Sequence, residues 1–428
     1  MGSLFSLEGK VAIFAGATKE TGRTIAIEMA KAGADVVVSA RTVEGIENAA
    51  TEIRSLGRRS LVVPTDVREA AIDSGSHCRY TPNSLHDRKL RYHSREISGS
   101  VKWFSPRRGR MRILVTGGAG RLGISVCKML QKKGFETRVF DLPSPRNRKS
   151  VKELGSKAEV FWGDITDADS VRQAVEGVDA VIHMAGILPP ATEANSALAA
   201  KVNVGGTKTL VDAIRKREKR IPFVFTSSVA VFGPTTAATE PISVEKNAPD
   251  PKDVYGQTKL KAENLIRESG IDYVILRLSA AMYTVFELSD VRRLYGIPLD
   301  NRLEICHPDE VSLAIVNAIV NFETAKGNML IISGGPKGRM LYKDMVGGIL
   351  GVLRLPLPPA RKFTQQPFYL DWYDTSKSQL LLQYQHKTFG DYLGDYRGAL
   401  SRRFSPAFLP FMCYFVGPVF GKLVMRLM

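Results

Sequence analysis

Cysteine is scarce in this chain. The 428 residues hold four, Cys78, Cys127, Cys306 and Cys413, and no two form a CxxC pair. Histidine is equally sparse, at six, and no Cys/His cluster has ligand spacing. The pattern excludes a disulfide framework and a zinc module, so no metal is expected, and it fits reduced thiols in a cytoplasmic protein. The N-terminus lacks the positive-then-apolar layout of a signal peptide, so export is not expected. Charge balance is also missing. Sixty Lys and Arg face 43 Asp and Glu, a net charge of +17, which raises nucleic acid or an anionic membrane surface as partners. The excess is uneven, however: residues 73–110 carry nine Lys/Arg against three Asp/Glu.

What is present is an ordinary apolar fraction, 44%, in a chain too long for one core, so two or three domains are expected. The same opening occurs twice. Val11–Gly16 is a short apolar run leading into a Gly-containing turn and a helical pattern, Thr21–Lys31. Arg112–Thr116 does the same before Arg121–Lys132. Second strands follow at Asp35–Ala40 and Glu136–Phe140. Short apolar strands alternating with amphipathic helices predict a parallel sheet covered on both faces. The first unit offers strands near Val11, Val36 and Leu61, then ends near Glu69. The second continues with strands at Val160–Trp162, Ala180–His183, Pro222–Thr226 and Tyr273–Leu276. Between the units, residues 73–110 show no apolar period and hold His77, His86 and His93. They read as a disordered basic linker. The run Arg88–Trp103 is compatible with a nucleic-acid patch, but disorder is the preferred reading and no nucleic-acid partner is expected.

Thr116–Gly123 reads TGGAGRLG, with glycines at 117, 120 and 123 directly after a strand and before a helix. Gly117 permits the tight turn, Gly120 lets a pyrophosphate approach the backbone, and Gly123 lets helix and strand pack closely. The helix start, including Arg121 and Leu122, then offers free N–H groups to phosphates. Asp141 closes the second strand. A carboxylate there can accept both ribose hydroxyls and would repel a 2′-phosphate, which favours NAD over NADP. The competing reading is a turn aspartate before Pro143. In the first unit Gly16 and Gly22 are in place, but Glu20 stands at the middle glycine, so that turn is expected to bind dinucleotide poorly or not at all.

Tyr255 and Lys259 form YxxxK at the start of a helix, with Gly270 as its stop. The i, i+4 spacing puts both on one face. A nearby ammonium stabilises the phenolate. Lowering the phenol by three units needs roughly 4 kcal/mol, which a partly buried Lys and a cationic nicotinamide could supply together. The phenolate can then take a proton from a substrate hydroxyl while hydride leaves. Ser228 follows a strand at its carboxyl end, where open α/β sheets bind ligands, and its hydroxyl could orient the substrate oxygen. Asn203 is a candidate for holding a backbone carbonyl or a proton-relay water, against the alternative of a helix-surface amide.

Together these residues resemble the extended short-chain dehydrogenase/reductase family, also called the NAD-dependent epimerase/dehydratase family, over Met111 to about Ile332. TGGAGRLG, Asp141, Asp164–Ile165, HMAG at His183–Gly186, Asn203, SSVAVFG at Ser227–Gly233 and Tyr255–Lys259 fall in the family's order. The resemblance implies that Asp164, beside Ile165, contacts the adenine amino group and that Ala185 and Gly186 lie along the cofactor. It implies that Ser228, Tyr255 and Lys259 form the catalytic triad, with Tyr255 and Lys259 also against the cofactor, and that HPDEV at His307–Val311 is structural. Residues 5–67, through LEGKVAIFAGA, Ser39–Arg41 and Asp66–Val67, are similar to the N-terminal half of single-domain short-chain dehydrogenases. Met111 sits where an independent start would be expected, as if the remnant of one gene were fused to a whole second one. The family's sugar-nucleotide enzymes usually follow the Arg at Arg277 with a Pro and then an Asn, and its dehydratases follow the catalytic hydroxyl residue with Asp-Glu. Here Leu278, Ser279, Ala280 and Ala281 follow Arg277, while Val229 and Ala230 follow Ser228, so elimination machinery is missing.

The expected fold class is therefore α/β: a Rossmann-type doubly wound parallel sheet, a smaller C-terminal substrate domain and an incomplete N-terminal βαβαβ unit. The expected layout is 1–72 for the truncated half, 73–110 for the linker, 111–281 for the NAD-binding domain, 282–404 for the substrate domain and 405–428 for an apolar tail. Ala407–Met425 is long enough to cross a bilayer, but Pro410, Pro418 and Lys422 favour a peripheral membrane contact in the interface, flanked by Arg402, Arg403 and Arg426. The alternative is that the tail packs on the substrate domain. A homodimer is compatible with the family. Three functions compete: an NAD-dependent oxidoreductase acting on a secondary alcohol or ketone, of hydrophobic or steroid-like kind; a nucleotide-sugar epimerase of the same fold; and a non-catalytic dinucleotide-binding protein.

Overall fold

The computed structural model describes residues 7–15, 20–40, 43–64, 111–235, 240–281, 294–353, 355–366 and 368–403. The chain divides into two compact units, Met1–Ser105 and Pro106–Met428.

In the first unit, β1 (Val11–Ala15), α1 (Glu20–Lys31), β2 (Asp35–Ala40), α2 (Val43–Ser55) and β3 (Ser60–Pro64) alternate as their apolar periods require. The strands are parallel, in the order β1-β2-β3. Ala26 and Ala30 of α1, and Ile46, Ala49 and Ile53 of α2, close a core over Val36 and Val38. The phosphate-turn residues 16–19 lie outside the described residues, as does the linker 73–110.

The second unit is built on seven parallel strands: β4 (Arg112–Thr116), β5 (Glu136–Asp141), β6 (Ala158–Trp162), β7 (Ala180–His183), β8 (Phe223–Ser228), β9 (Tyr273–Leu278) and, beyond a short β10 (Arg302–Glu304), β11 (Met329–Ile332). Their order is β11-β9-β8-β7-β4-β5-β6. A sheet buried on both faces needs apolar residues at successive positions. Ile113 and Val115 accordingly enter one core, with Val126 and Leu130 of α3 (Arg121–Lys132). Leu114 enters the other, with Val171 of α4 (Ala168–Val175), Leu210 of α5 (Thr207–Arg215) and Ile266 of α6 (Val254–Glu268).

The seventh strand comes from beyond residue 281, and so does α7 (Pro308–Val320), whose Val311, Ile315 and Ile319 share the core of α3. The stretch expected as a separate domain over 282–404 thus interleaves with the sheet. A second apolar cluster gathers Leu303 of β10, Tyr342 and Val346 of α8 (Tyr342–Val352), Phe363, and Tyr392 and Tyr396 of α9 (Phe389–Arg403). β10 pairs antiparallel with β12 (Arg339–Leu341). His307 caps α7 and reaches Asp395 at 3.0 Å, while the Lys387 ammonium meets Asp309 at 2.8 Å, so HPDEV ties α7 to the α9 region. Among the described residues no helix is long and apolar enough to cross a membrane. The tail 405–428 lies outside the described residues.

Each unit closes its own core, so a chain beginning at Met111 is expected to unfold cooperatively at the same temperature as the corresponding transition of the full chain. Differential scanning calorimetry checks this; loss of cooperative unfolding in the shorter chain would show that the first unit supports the sheet.

Candidate active site

The chain leaves β4, builds β5 and β6 on one side, then crosses back to lay β7 on the other. Such a reversal opens a crevice at the carboxyl ends of the two central strands. Every candidate residue of the second unit lies on segments leaving that edge.

Gly117 takes φ +70°, and a Cβ there would stand 2.8 Å from the backbone N of Ala185. The turn therefore presses against the segment leaving β7, which no larger residue allows. A Cβ on Gly123 would fall 2.4 Å from the Gly117 carbonyl oxygen, so the third glycine seats α3 on the turn itself. α3 starts from Gly120 with no side-chain cap and no acidic residue in its first turn, where Arg121 and Leu122 stand, which leaves its N-terminal end electropositive. Asp141 ends β5 and folds back: one carboxylate oxygen accepts the Ala119 amide at 3.0 Å, the other the Leu142 amide at 2.8 Å and the Asn147 side chain at 3.0 Å. Burial raises its pKa and these amides oppose the rise. Asp164 is exposed; its carboxylate closes a turn on Thr166, while Ile165 beside it is buried.

Under the turn runs a chain of buried hydrogen bonds. The Thr116 hydroxyl meets His183 Nδ1 at 2.7 Å, and His183 Nε2 meets the Thr207 hydroxyl at 2.9 Å. Burial pushes this imidazole down to about 3, helped by the Lys259 charge, so it is neutral and carries one N–H. Thr207 donates its proton to the Asn203 carbonyl at 2.6 Å. Nε2 must therefore be the donor, and Nδ1 accepts from Thr116. Thr116 in turn accepts the amides of Met184 and Ala185, both at 3.3 Å.

Asn203 is buried, on a π-helical turn, Ala200–Gly206, that runs into α5. Its amide oxygen accepts from Ile187 N at 2.7 Å, and its amide nitrogen donates to Ile187 O at 3.1 Å and to Thr258 at 3.0 Å. It holds the backbone just after Ala185 and Gly186. A Cβ on Gly186 would touch Asn203 Oδ1 at 3.0 Å, with Lys259 Nζ 3.8 Å away.

α6 begins at Asp253, whose side chain accepts the Gly256 amide at 2.7 Å. Lys259 is buried. Its ammonium donates to Thr226 O at 2.8 Å and lies 4.8 Å above the Phe225 ring and 5.8 Å from the Tyr255 ring centre. Burial pushes it down to about 8 against the opposing pull of Glu263. Tyr255 departs from the expectation of a lowered phenol. Burial pushes it up to about 12, a hydrogen bond with Ser228 opposes the rise, and Asp253 adds to it. Tyr255, Ser228 and Lys259 are thus brought together, with Ser228 as the last residue of β8 and its Oγ accepting the Ala230 amide at 3.2 Å.

Sequence reasoning missed Glu193. Its carboxylate accepts the amides of Val254 and Tyr255, each at 3.3 Å, capping the helix of Tyr255 from a segment 61 residues earlier. No local pattern announces that contact. Thr258, which joins Asn203 to the Tyr255 carbonyl at 2.8 Å, was missed too. It lies inside YxxxK and was hidden as a variable position.

Residues 113–282 match the model of the NAD dependent epimerase/dehydratase family. That match falls wholly within the second unit. Residues 10–74 match the short chain dehydrogenase model, in line with the partial resemblance seen in the first unit. The family segment has relatives of differing kinds. An uncharacterised protein, y4nG, of Sinorhizobium fredii is 34% identical over 221 residues, 48% of this chain and 52% of the relative. A 3 beta-hydroxysteroid dehydrogenase/Delta 5→4-isomerase of Mycobacterium tuberculosis is 33% identical over 171 residues, 38% of this chain and 44% of the relative. The chain thus spans about half the length of the curated relatives it matches. The structure of UDP-glucuronic acid 4-epimerase from Bacillus cereus in complex with NAD superposes with a TM-score of 0.56 at 24% identity, covering 68% of this chain and 99% of that one, and so shares the fold.

Asp141 generates a prediction for this family site. Asp141→Ala is expected to relax selectivity for NAD over NADP by roughly tenfold or more, the equivalent of about 1.4 kcal/mol. Dissociation constants for NADH and NADPH, read from nicotinamide fluorescence, check it; an unchanged ratio would show that the carboxylate does not face the ribose.

Proposed function

We propose that the protein is an NAD-dependent oxidoreductase that interconverts a secondary alcohol and its ketone on an apolar substrate. One observation carries the reading: the Ser228 hydroxyl hydrogen-bonds the Tyr255 phenol, with the buried Lys259 ammonium on the same helix face, beside a glycine turn open to phosphate.

The residues present fit the dinucleotide. Gly117, Gly120 and the bare N-terminus of α3, with Arg121, Leu122 and Gly123, would cradle its pyrophosphate. Asp141 would take the ribose, Asp164 and Ile165 the adenine, and Ala185 and Gly186 would line the path toward Tyr255 and Lys259. Bound NAD supplies the hydride acceptor and, when oxidised, a positive charge. The protein supplies proton handling. Ser228 orients the substrate oxygen toward Tyr255, whose phenol gives a proton in ketone reduction and whose phenolate takes one in alcohol oxidation. A phenol pushed up to about 12 is a weak base alone, so alcohol oxidation needs positive charge beside it. Lys259 provides part of that charge, and Asn203 keeps the Gly186–Ile187 backbone and α6 in mutual register.

The apolar substrate is supported by Val229 and Ala230 after Ser228, where an elimination enzyme needs acids, and by Leu188, which is 60% exposed just beyond Gly186. A nucleotide-sugar epimerase is the second reading, favoured by the fold neighbour described above. Against it stand Ser279–Ala281 after Arg277, with Ser279 turned to Ser333 at 2.7 Å. A non-catalytic dinucleotide binder would have no need of the Ser228–Tyr255–Lys259 arrangement.

Absorbance at 340 nm separates the readings. A dehydrogenase given hydrophobic secondary alcohols and NAD is expected to accumulate NADH, whereas an epimerase returns its hydride and shows no net change. Tyr255→Phe is expected to lower kcat by about 10²–10⁴-fold with NADH affinity kept, the range of a lost acid/base group; more than a tenth of the parental rate would remove Tyr255 from that role. In the ketone-reducing direction the working state has Lys259 charged, which holds below its pKa, so the rate should fall as pH rises through about 8. A flat profile from pH 7 to 9.5 would show that the Lys259 charge is not needed.

A further inference from the structure

Beneath the proposed site lies an ion pair that the chemistry does not use. Glu263 and Arg277 have side chains 1% and 2% exposed and meet through two hydrogen bonds, at 3.0 and 2.7 Å. Ser227, the neighbour of Ser228, donates to the same carboxylate at 2.5 Å. The Arg277 guanidinium stacks 4.8 Å from the ring of Phe232, which ends the 3₁₀ turn Val229–Phe232 that follows Ser228. Glu263 sits on α6 one helical turn beyond Lys259, Ser227 on β8 and Arg277 on β9.

We propose that the Glu263–Arg277 pair, with Ser227, is a positioning element that locks the rotation of α6 against β8 and β9 and sets a fixed negative charge one turn from Lys259. The proposal rests on the reading that Ser228, Tyr255 and Lys259 carry the reaction. A helix held only by apolar packing can rotate or slide at little cost, because dispersion and burial have no direction. A bidentate guanidinium–carboxylate contact fixes direction. Here it joins the helix bearing Tyr255 and Lys259 to β9, and the Ser227 hydroxyl ties the same carboxylate to the strand bearing Ser228. Burying two charges is a weak source of stability, so this pair's value lies in geometry and charge placement. The charged and titratable groups around Lys259 are Tyr255 and Glu263 on its own helix, His183 on β7 and, behind Glu263, Arg277 on β9; β8 presents the Thr226 carbonyl and the Phe225 ring. His183 is neutral, so Glu263 is the group that favours the charged form of Lys259.

The test uses the full chain labelled with ε-13C-lysine, with the Lys259 resonance assigned by its loss in Lys259→Met. In the parent this lysine is expected to titrate near 8, far from surface lysines. Glu263→Leu combined with Arg277→Met removes both charges together, an exchange that buried pairs often tolerate. Glu263→Gln, which keeps shape and the Ser227 contact, serves where the double exchange does not fold. In the folded variant the Lys259 titration is expected to move down by about one pH unit or more. With an alcohol found at 340 nm, kcat should fall about tenfold at unchanged NADH affinity, and the alkaline limb of the rate profile should move down with the titration. An unmoved Lys259 titration in a folded variant overturns the proposal. The titration needs no substrate, so failure to find an oxidised alcohol would count against the functional reading alone.

Discussion

His183 can bridge Thr116 and Thr207 because it is buried beyond the reach of water and stays neutral. A charged imidazole would have to donate from both nitrogens, and Thr207, whose proton is committed to the Asn203 carbonyl, would be its acceptor on one side while Thr116 lost its acceptor on the other. The neutral ring instead continues a one-way chain. The Ala185 amide donates to Thr116, Thr116 to His183, His183 to Thr207 and Thr207 to Asn203. The side chain of Asn203 then reaches Ile187 and Thr258, and Thr258 donates to Tyr255 O. A continuous polar path runs from the strand before the glycine turn to the helix of Tyr255. The links from Thr116 through His183 and Thr207 to Asn203, and from Asn203 to Thr258, are buried, so each is costly to leave unmade. The spacing between the phosphate cradle and the Tyr-Lys pair depends on that path.

Electrostatics at the other end of the path are set by burial opposing partners. Lys259 sinks to about 8 although Glu263 favours its charge, and Tyr255 rises to about 12 although Ser228 opposes it. Both shifts favour neutral forms, as a low-dielectric site requires. The ammonium donates its hydrogen bond to the Thr226 carbonyl, and burial outweighs its charge at the phenol. On the proposed function, positive charge from an oxidised nicotinamide would lower the phenol and favour proton removal.

Much of this was legible because it is local. The alternation of strands and helices follows from short-range periodicity, and TGGAGRLG and YxxxK each occupy one turn or one helix face. Six of the sheet's strands, their parallel direction and the glycine turn followed from those signals. What the sequence did not disclose depends on long-range contact. Met329–Ile332 reads as a strand anywhere, and only tertiary packing against β9 makes it part of the main sheet. The carboxylate of Glu193 belongs to α6 by position in space. The Tyr255 phenol rises because it is buried, which the i, i+4 spacing does not reveal. Asn203 holds the Ile187 backbone, a partner that could not be named without the π-helical turn that carries it.

The two units show what separates a dinucleotide crevice from a dinucleotide-like strand order. A crevice needs strands on both sides of the first one, because the turn after that strand is pressed against the segment leaving its second neighbour, as Gly117 is against Ala185. Among the described residues of the first unit, β1 pairs with β2 alone. None of that unit's described strands supplies the counterpart of β7, or of the Thr116–His183 link. Three parallel strands and two helices suffice to bury Val36, Val38, Ile46 and Ile53, which is enough for a core. They are not enough for a site, since the site in the second unit is made where the chain reverses across the sheet, a step the first unit's described strands do not contain.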